Sequence, residues 1–197
     1  MTTDKLPQEQ IDHILNLFKS DQTQQALDFI DTLSKDYPDE SLLFNIRGAC
    51  YAGLGQLDIA VQSYKKALSI KPDYAKAHYN LGGALQELDK LHDSAKSYKN
   101  AIVFEPENAQ AHNNLAIVLR ELDQLEEAEA SCRKAIVLDP EYAEAHSCLS
   151  IILYANGDLN SALESIKKAY SINPKLKIIK LLLAVLKARK THKTSKV

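Results

Sequence analysis

Five of the chain's six prolines, Pro38, Pro72, Pro106, Pro140 and Pro174, stand 34 residues apart each time. The residue before a proline is pushed out of the α region, so a proline marks the place where a helix stops. A fixed proline period therefore means one supersecondary unit of constant length, stacked repeatedly. Such a chain buries its apolar faces between neighbouring units rather than in one closed core. Cut at that period, the rows are 7–40, 41–74, 75–108, 109–142 and 143–176.

Each row repeats one packing pattern. A small residue recurs at Ala26, Ala60, Ser94, Ala128 and Ala162, and seven residues on come Leu33, Ala67, Ala101, Ala135 and Ala169. Gly48, Gly82, Ala116 and Ser150 meet the same need earlier in their rows, where row one departs with Ile14. Small side chains at matched places let two helices approach near the short end of the ~8–10 Å packing range. Large apolar residues follow at helical spacing: Phe44, Tyr51 and Leu54, then Tyr64 and Leu68, with Leu81, Leu85, Leu88 and Leu115, Leu119, Leu122 in the next rows. Between the two helices lies a short turn, Gly55-Gln56-Leu57, Asp89-Lys90-Leu91, Asp123-Gln124-Leu125 or Gly157-Asp158-Leu159. Gly, and less readily Asp, accepts the left-handed backbone that ends a helix there.

The repeat resembles the tetratricopeptide repeat family, whose pattern is an aromatic, Leu-Gly, Tyr, then Ala, an aromatic, and Pro. Row two matches through Phe44, Gly48, Tyr51, Ala60, Tyr64, Ala67 and Pro72. Row three matches through Leu81, Gly82, Tyr98, Ala101 and Pro106, row four through Leu115, Ala128, Ala135 and Pro140, and row five through Leu149, Ala162, Ala169 and Pro174. Row one keeps only Leu17, Ala26 and Pro38, as suits a terminal capping unit. The resemblance implies an all-α fold, a right-handed α-solenoid of five helix–turn–helix repeats. The reading is a single array over 1–190, closed by a capping helix at 176–190 and followed by a basic tail at 191–197.

Within that helix Ile178, Leu181, Leu182, Val185 and Leu186 form a stripe able to cover the end of row five, and Ile179 and Leu183 widen it. The excess apolar arc leaves room for self-association. No acidic residue follows Glu164, while ten basic ones do; residues 1–164 hold 14 basic against 26 acidic residues, a net of −12. That end could meet an anionic surface, but solvation or contact with the acidic body is the favoured reading, and nucleic acid is not expected as a partner. Three scattered cysteines, Cys50, Cys132 and Cys148, suit a reducing compartment. No signal-like apolar core opens the chain, and the run at 178–186 is too short to span a bilayer, so a cytoplasmic location without transmembrane segments is expected.

No catalytic, metal or cofactor site is expected. His78, His112 and His146 recur one row apart, where row two has Phe44. Equivalent places in successive repeats are about one helix-packing distance apart, ~8–10 Å, against ~2.0–2.1 Å for ligand nitrogens on one zinc. They are expected to be packing side chains. Cys148 and His146, two apart on a helix, point away from each other. Cys132 falls where other rows have Tyr64, Tyr98 or Ile166 and reads as a packing residue.

The resemblance places the first helix of each repeat on the concave face. Partner contacts are then expected from Asn45, Lys76, Tyr79, Asn80, Gly83, Gln86, Gln110, Asn113, Asn114, Ile117, Arg120, Ser147 and Ile151. Asn80 and Asn114 hold one place in adjacent rows, similar to the asparagine ladder in the superhelical repeats of O-linked N-acetylglucosamine transferases. Ile46 and Cys148 replace it in rows two and five, so it has two rungs at most. Ordinary polar groove residues remain the other reading. The lysine–asparagine–arginine clamp of chaperone-binding relatives is not met, since Tyr79 and Ile46 are not basic. The expected function is a non-enzymatic scaffold or adaptor holding an extended peptide or partner helix. The alternative is a recognition or assembly module of a larger or split enzyme of the glycosyltransferase, sulfotransferase or oxygenase type.

Overall fold

A computed structural model describes residues 6–175 and Ala184. The described residues hold ten α-helices and no strand: α1 Gln8–Lys19, α2 Thr23–Asp36, α3 Ser41–Gly53, α4 Leu57–Ile70, α5 Ala75–Glu87, α6 Leu91–Phe104, α7 Ala109–Glu121, α8 Leu125–Leu138, α9 Ala143–Ala155 and α10 Leu159–Ile172. Consecutive helices pair as antiparallel hairpins, one to each 34-residue row. The expected capping helix and basic tail lie outside the described residues. The chain divides into two compact units, one over Met1–Phe104 and one over Glu105–Val197.

Both kinds of turn follow from local chemistry. Within the hairpins Asp21, Gly55, Asp89, Asp123 and Gly157 have φ between 57° and 83°. Each ends its first helix with two bonds, as in Gly55 N–H to Ala52 O at 2.9 Å and Gln56 N–H to Tyr51 O at 2.9 Å. These satisfy carbonyls that a helix end otherwise leaves orphaned. Asp21 supplies this turn in row one, where no leucine follows it. Between hairpins, Pro38, Pro72, Pro106 and Pro140 take the second place of a β-turn, closed for example by Tyr74 N–H to Lys71 O at 3.2 Å. The preceding residues Tyr37, Lys71 and Asp139 leave helical geometry with ψ of 63°, 88° and 94°, as the proline demands.

In the first unit the hairpins of rows two and three close through a glycine set against a tyrosine ring, whereas row one has wholly buried Ile14 and Ile30 at those places. A Cβ placed on Gly48 would lie 2.5 Å from Tyr64 Cε1, and one on Gly82 would lie 2.9 Å from Tyr98 Cδ1. Ser94 Oγ, wholly buried, donates to the Gly82 carbonyl at 2.8 Å. The N-terminal core gathers Ile14, Leu27, Ile30, Leu43, Ile46 and Cys50. On α3 the deepest side chains are thus Leu43, Ile46 and Cys50. Phe44 and Tyr51 are half-buried, and Leu54 caps the helix at 46% exposure.

In the second unit the same positions carry different pairs. Buried Ala116 and Cys132 take the place of glycine and tyrosine in one hairpin, Ser150 and Ile166 in the other. Ser150 Oγ donates to the Ala162 carbonyl at 2.9 Å, the mirror of the Ser94 bond with the hydroxyl moved to the first helix. In rows two, three and five a small residue at the first-helix place goes with a large one at the second-helix place, whereas row four has two small residues there and row one two isoleucines.

Candidate partner-binding site

The three histidines are turn fasteners. His78, His112 and His146 each place Nε2 against the carbonyl of Pro72, Pro106 and Pro140 at 2.9, 3.0 and 3.0 Å. Each inter-hairpin turn is thus tied to the helix it introduces, and Nε2 carries the proton that the carbonyl accepts. His78 also stacks on Phe104, with ring centroids 5.7 Å apart. Among the described residues no group of three or more His, Cys, Asp or Glu is placed to hold a metal ion.

Burial holds the His112 imidazole below its ordinary pKa of 6.5, against the opposing pull of the Pro106 carbonyl; Lys134 adds to the lowering. The unfolded chain takes up that proton first. Stability from neutral His112 is therefore complete above about 6.5 and declines as pH falls below it, levelling off under the folded value. The melting temperature of His112→Phe should fall less than that of the natural chain between pH 7.5 and pH 5.5. Equal slopes would remove this residue from the pH response.

On the first unit's first helices, Asn80 Nδ2 donates to Asn45 Oδ1 at 3.0 Å, joining α5 to α3. Asn45 is buried by this contact, whereas Asn80, Tyr79, Gly83 and Gln86 are half-buried and Lys76 is exposed. Lys76 Nζ lies 5.3 Å from the Tyr79 ring centroid, a cation–π distance. Tyr79 meets Tyr98 edge-on at 5.7 Å.

On the second unit's first helices, Gln110 is exposed, Asn114, Ile117, Arg120 and Ile151 are half-buried, and Asn113 and Ser147 are buried. Asn113 Nδ2 donates to Asn114 Oδ1 at 3.4 Å. Its own Oδ1 finds no donor among the described residues. Asn45 gets its donor from the residue 35 positions on, Asn80; the residue 35 positions after Asn113 is Cys148. Arg120 pairs with Glu121 at 3.5 Å. An open cleft of about 400 Å³ lies elsewhere, lined by Asp123, Gln124, Leu125, Glu126, Glu127 and Asn156 around two hairpin turns.

Sequence reasoning missed one pair. Buried Cys132 on α8 and Cys148 on α9 act on one another: hydrogen bonding between the thiols pushes Cys132 up and holds Cys148 below the ordinary thiol range. Sixteen residues separate them across a turn and two helices, so no short-range motif announces them. The signal was positional: the small Cys132 stands where rows two and three carry a tyrosine and row five Ile166.

Helical hairpins that repeat every 34 residues and present polar and half-buried apolar side chains along their first helices define a helical-repeat protein. Residues 48–89 match the TPR repeat model, and residues 109–142 and 143–176 each match a tetratricopeptide repeat model, together more than half of the chain. The chain belongs to the tetratricopeptide repeat family.

Solved structures agree on the fold. PilW, a type IV pilus biogenesis factor, is 25% identical with a TM-score of 0.82, over 93% of this chain and 88% of that one. YrrB, described as a TPR protein with an unusual peptide-binding site, is 20% identical with a TM-score of 0.76, over 91% and 90%. MamA from Desulfovibrio magneticus RS-1 is 20% identical with a TM-score of 0.77, over 85% and 95%. Among curated proteins, the peroxisomal targeting signal receptors of Candida glabrata and Saccharomyces cerevisiae are 31% and 30% identical over 67 residues. Those alignments cover 34% of this chain and only 11% of either receptor. No helix of the described residues is long and apolar enough to cross a membrane.

Proposed function

We propose that the first-helix faces hold an extended peptide or a partner helix. Asn45, Lys76, Tyr79, Asn80 and Gly83 serve in the first unit, and Gln110, Asn113, Asn114, Ile117, Arg120, Ser147 and Ile151 in the second. The observation that carries this reading is the mixture on α5, α7 and α9. Half-buried amides at Asn80 and Asn114 can donate to and accept from a peptide backbone, and half-buried Tyr79, Ile117 and Ile151 offer apolar surface to its side chains. The pairing of Asn80 with Asn45 pre-orders one amide, lowering the entropy that binding must overcome. The 67-residue likeness to receptors of a targeting signal is in keeping with a peptide ligand.

A peptide selected on the natural chain from a displayed random library tests this reading. Asn80→Ala/Asn114→Ala should bind that peptide roughly tenfold or more weakly in calorimetric titration, each lost hydrogen bond contributing about 0.5–1.5 kcal/mol. Unchanged affinity would take both asparagines out of the binding face.

A further inference from the structure

Row five departs from its neighbours at the end of α9. The residue that closes the first helix is Leu54, Leu88 and Leu122 in rows two to four, and Asn156 in row five. The left-handed residue after it is Gly55, Asp89, Asp123 and then Gly157. Row five thus holds the chain's one Asn-Gly pair. Asn156 and Gly157 are both exposed, and a Cβ placed on Gly157 would meet nothing within 4 Å. Asn156 lines the open cleft, and its Nδ2 donates to Glu129 Oε2 at 3.3 Å.

We infer that Asn156 is a site of spontaneous deamidation, its side-chain amide converted by the Gly157 backbone nitrogen and water to aspartate and isoaspartate. The inference is independent of which surface binds a partner. With no side chain on Gly157 and open space around it, nothing shields that nitrogen from the neighbouring amide. In the folded turn the Gly157 N–H donates to Tyr154 O at 3.1 Å, and Asn156 has a ψ of −5°. Attack therefore waits for the turn to open. Exposed helix ends with few apolar contacts open at the low-cost end of local unfolding. In row three Leu88 packs onto the core at this place, whereas Asn156 reaches out to a carboxylate at the surface.

Once the turn opens, the Gly157 nitrogen gives its proton to solvent base and attacks Asn156 Cγ. A new C–N bond closes a cyclic imide, the Cγ–Nδ2 bond breaks, and Nδ2 leaves as ammonia after taking up a proton. Water then opens the imide. Breaking the bond from Cγ to nitrogen gives aspartate, and breaking the bond from the backbone carbonyl carbon to nitrogen gives isoaspartate. The sum is amide and water to carboxylic acid and ammonia, with no oxidation. Either product sets a carboxylate where a donor faced Glu129, in a cleft that Asp123, Glu126 and Glu127 already line, so the new charge is repelled. Isoaspartate also lengthens the main chain through the turn, displacing the bonds from Gly157 N–H to Tyr154 O and from Asp158 N–H to Leu153 O.

The experiment holds the folded full chain in mildly alkaline buffer at physiological temperature, beside a synthetic peptide of residues 153–159. Both are followed by peptide mapping with mass spectrometry. The segment around Asn156 should yield two new species, each heavier by the exchange of an amide for an acid, one of them a substrate for protein isoaspartyl methyltransferase. Conversion should be slower than in the free peptide, in keeping with a turn that must open first. Asn156→Leu and Gly157→Asp use residues that other rows carry at these places. The first should remove both products, and the second should leave Asn156 largely intact over the same period. Three results would overturn the proposal: Asn156 still intact when the free peptide has converted fully, earlier conversion at another asparagine, or an unchanged rate in folded Gly157→Asp. The first two are read on the natural chain, so a variant that fails to fold leaves the test standing.

Discussion

Tyr98→Ala is expected to destabilise the first unit by about 3–5 kcal/mol, the range for removing a large aromatic from a packed interior. Tyr98 is 1% exposed on α6, and its ring presses on Gly82 closely enough that a Cβ there would lie 2.9 Å from Cδ1. Nothing on the glycine can move in to fill the space. The ring also meets Tyr79 edge-on at 5.7 Å, and its hydroxyl donates to Gln86 Oε1 at 3.4 Å. Loss of the side chain therefore loosens the α5–α6 hairpin and frees a first-helix tyrosine together. Urea unfolding followed by circular dichroism should show the transition moved to lower denaturant. Tyr98→Phe, which keeps the ring, should cost no more than about 1–2 kcal/mol, the hydroxyl's hydrogen bonding alone. A cost for alanine no greater than that for phenylalanine would mean that the ring is not what holds the hairpin.

The fold was legible because its rules are local and repeated. Prolines set where second helices stop, and Gly55, Asp89, Asp123 and Gly157 adopt the left-handed turn that their residue types suggested. Small residues spaced in register marked the close contacts, and Ala60, Ser94, Ala128 and Ala162 are all wholly buried. What escaped was pairing between helices whose contacts do not keep the repeat's own period. Asn80 was read as one rung of a ladder with Asn114, and its bond back over 35 residues to Asn45 lay outside that reading. The histidines were expected to pack. They do, but the bond to a proline carbonyl six residues earlier joins two recurring features, and each had seemed to act alone. Cys132 and Cys148 belong to different rows at different positions, so a search by equivalent position passes over them.

Gly48→Ala is the sharpest test of whether bulk at this first-helix place is traded against bulk at the matching place on the second helix. In an exposed helix this change would stabilise by about 1 kcal/mol through helix propensity. Here the added Cβ would sit 2.5 Å from Cε1 and 2.6 Å from Cδ1 of Tyr64, a ring that is itself buried. Overpacking of this kind costs about 1–3 kcal/mol and outweighs the propensity gain. The single variant should therefore be less stable than the natural chain in urea. The second unit already contains the accommodated pair, buried Ala116 with Cys132. Tyr64→Cys alone should be strongly destabilising, because it opens a cavity above the glycine. In that background Gly48→Ala should change sign and stabilise, partly filling the space and recovering the propensity gain. The double-mutant cycle should return a coupling of about 2–3 kcal/mol, at the upper end for residues in direct contact. If alanine at position 48 shifts stability in the same direction beside tyrosine and beside cysteine, the two positions do not compensate, and the pairs in the other hairpins would reflect independent choices at each helix.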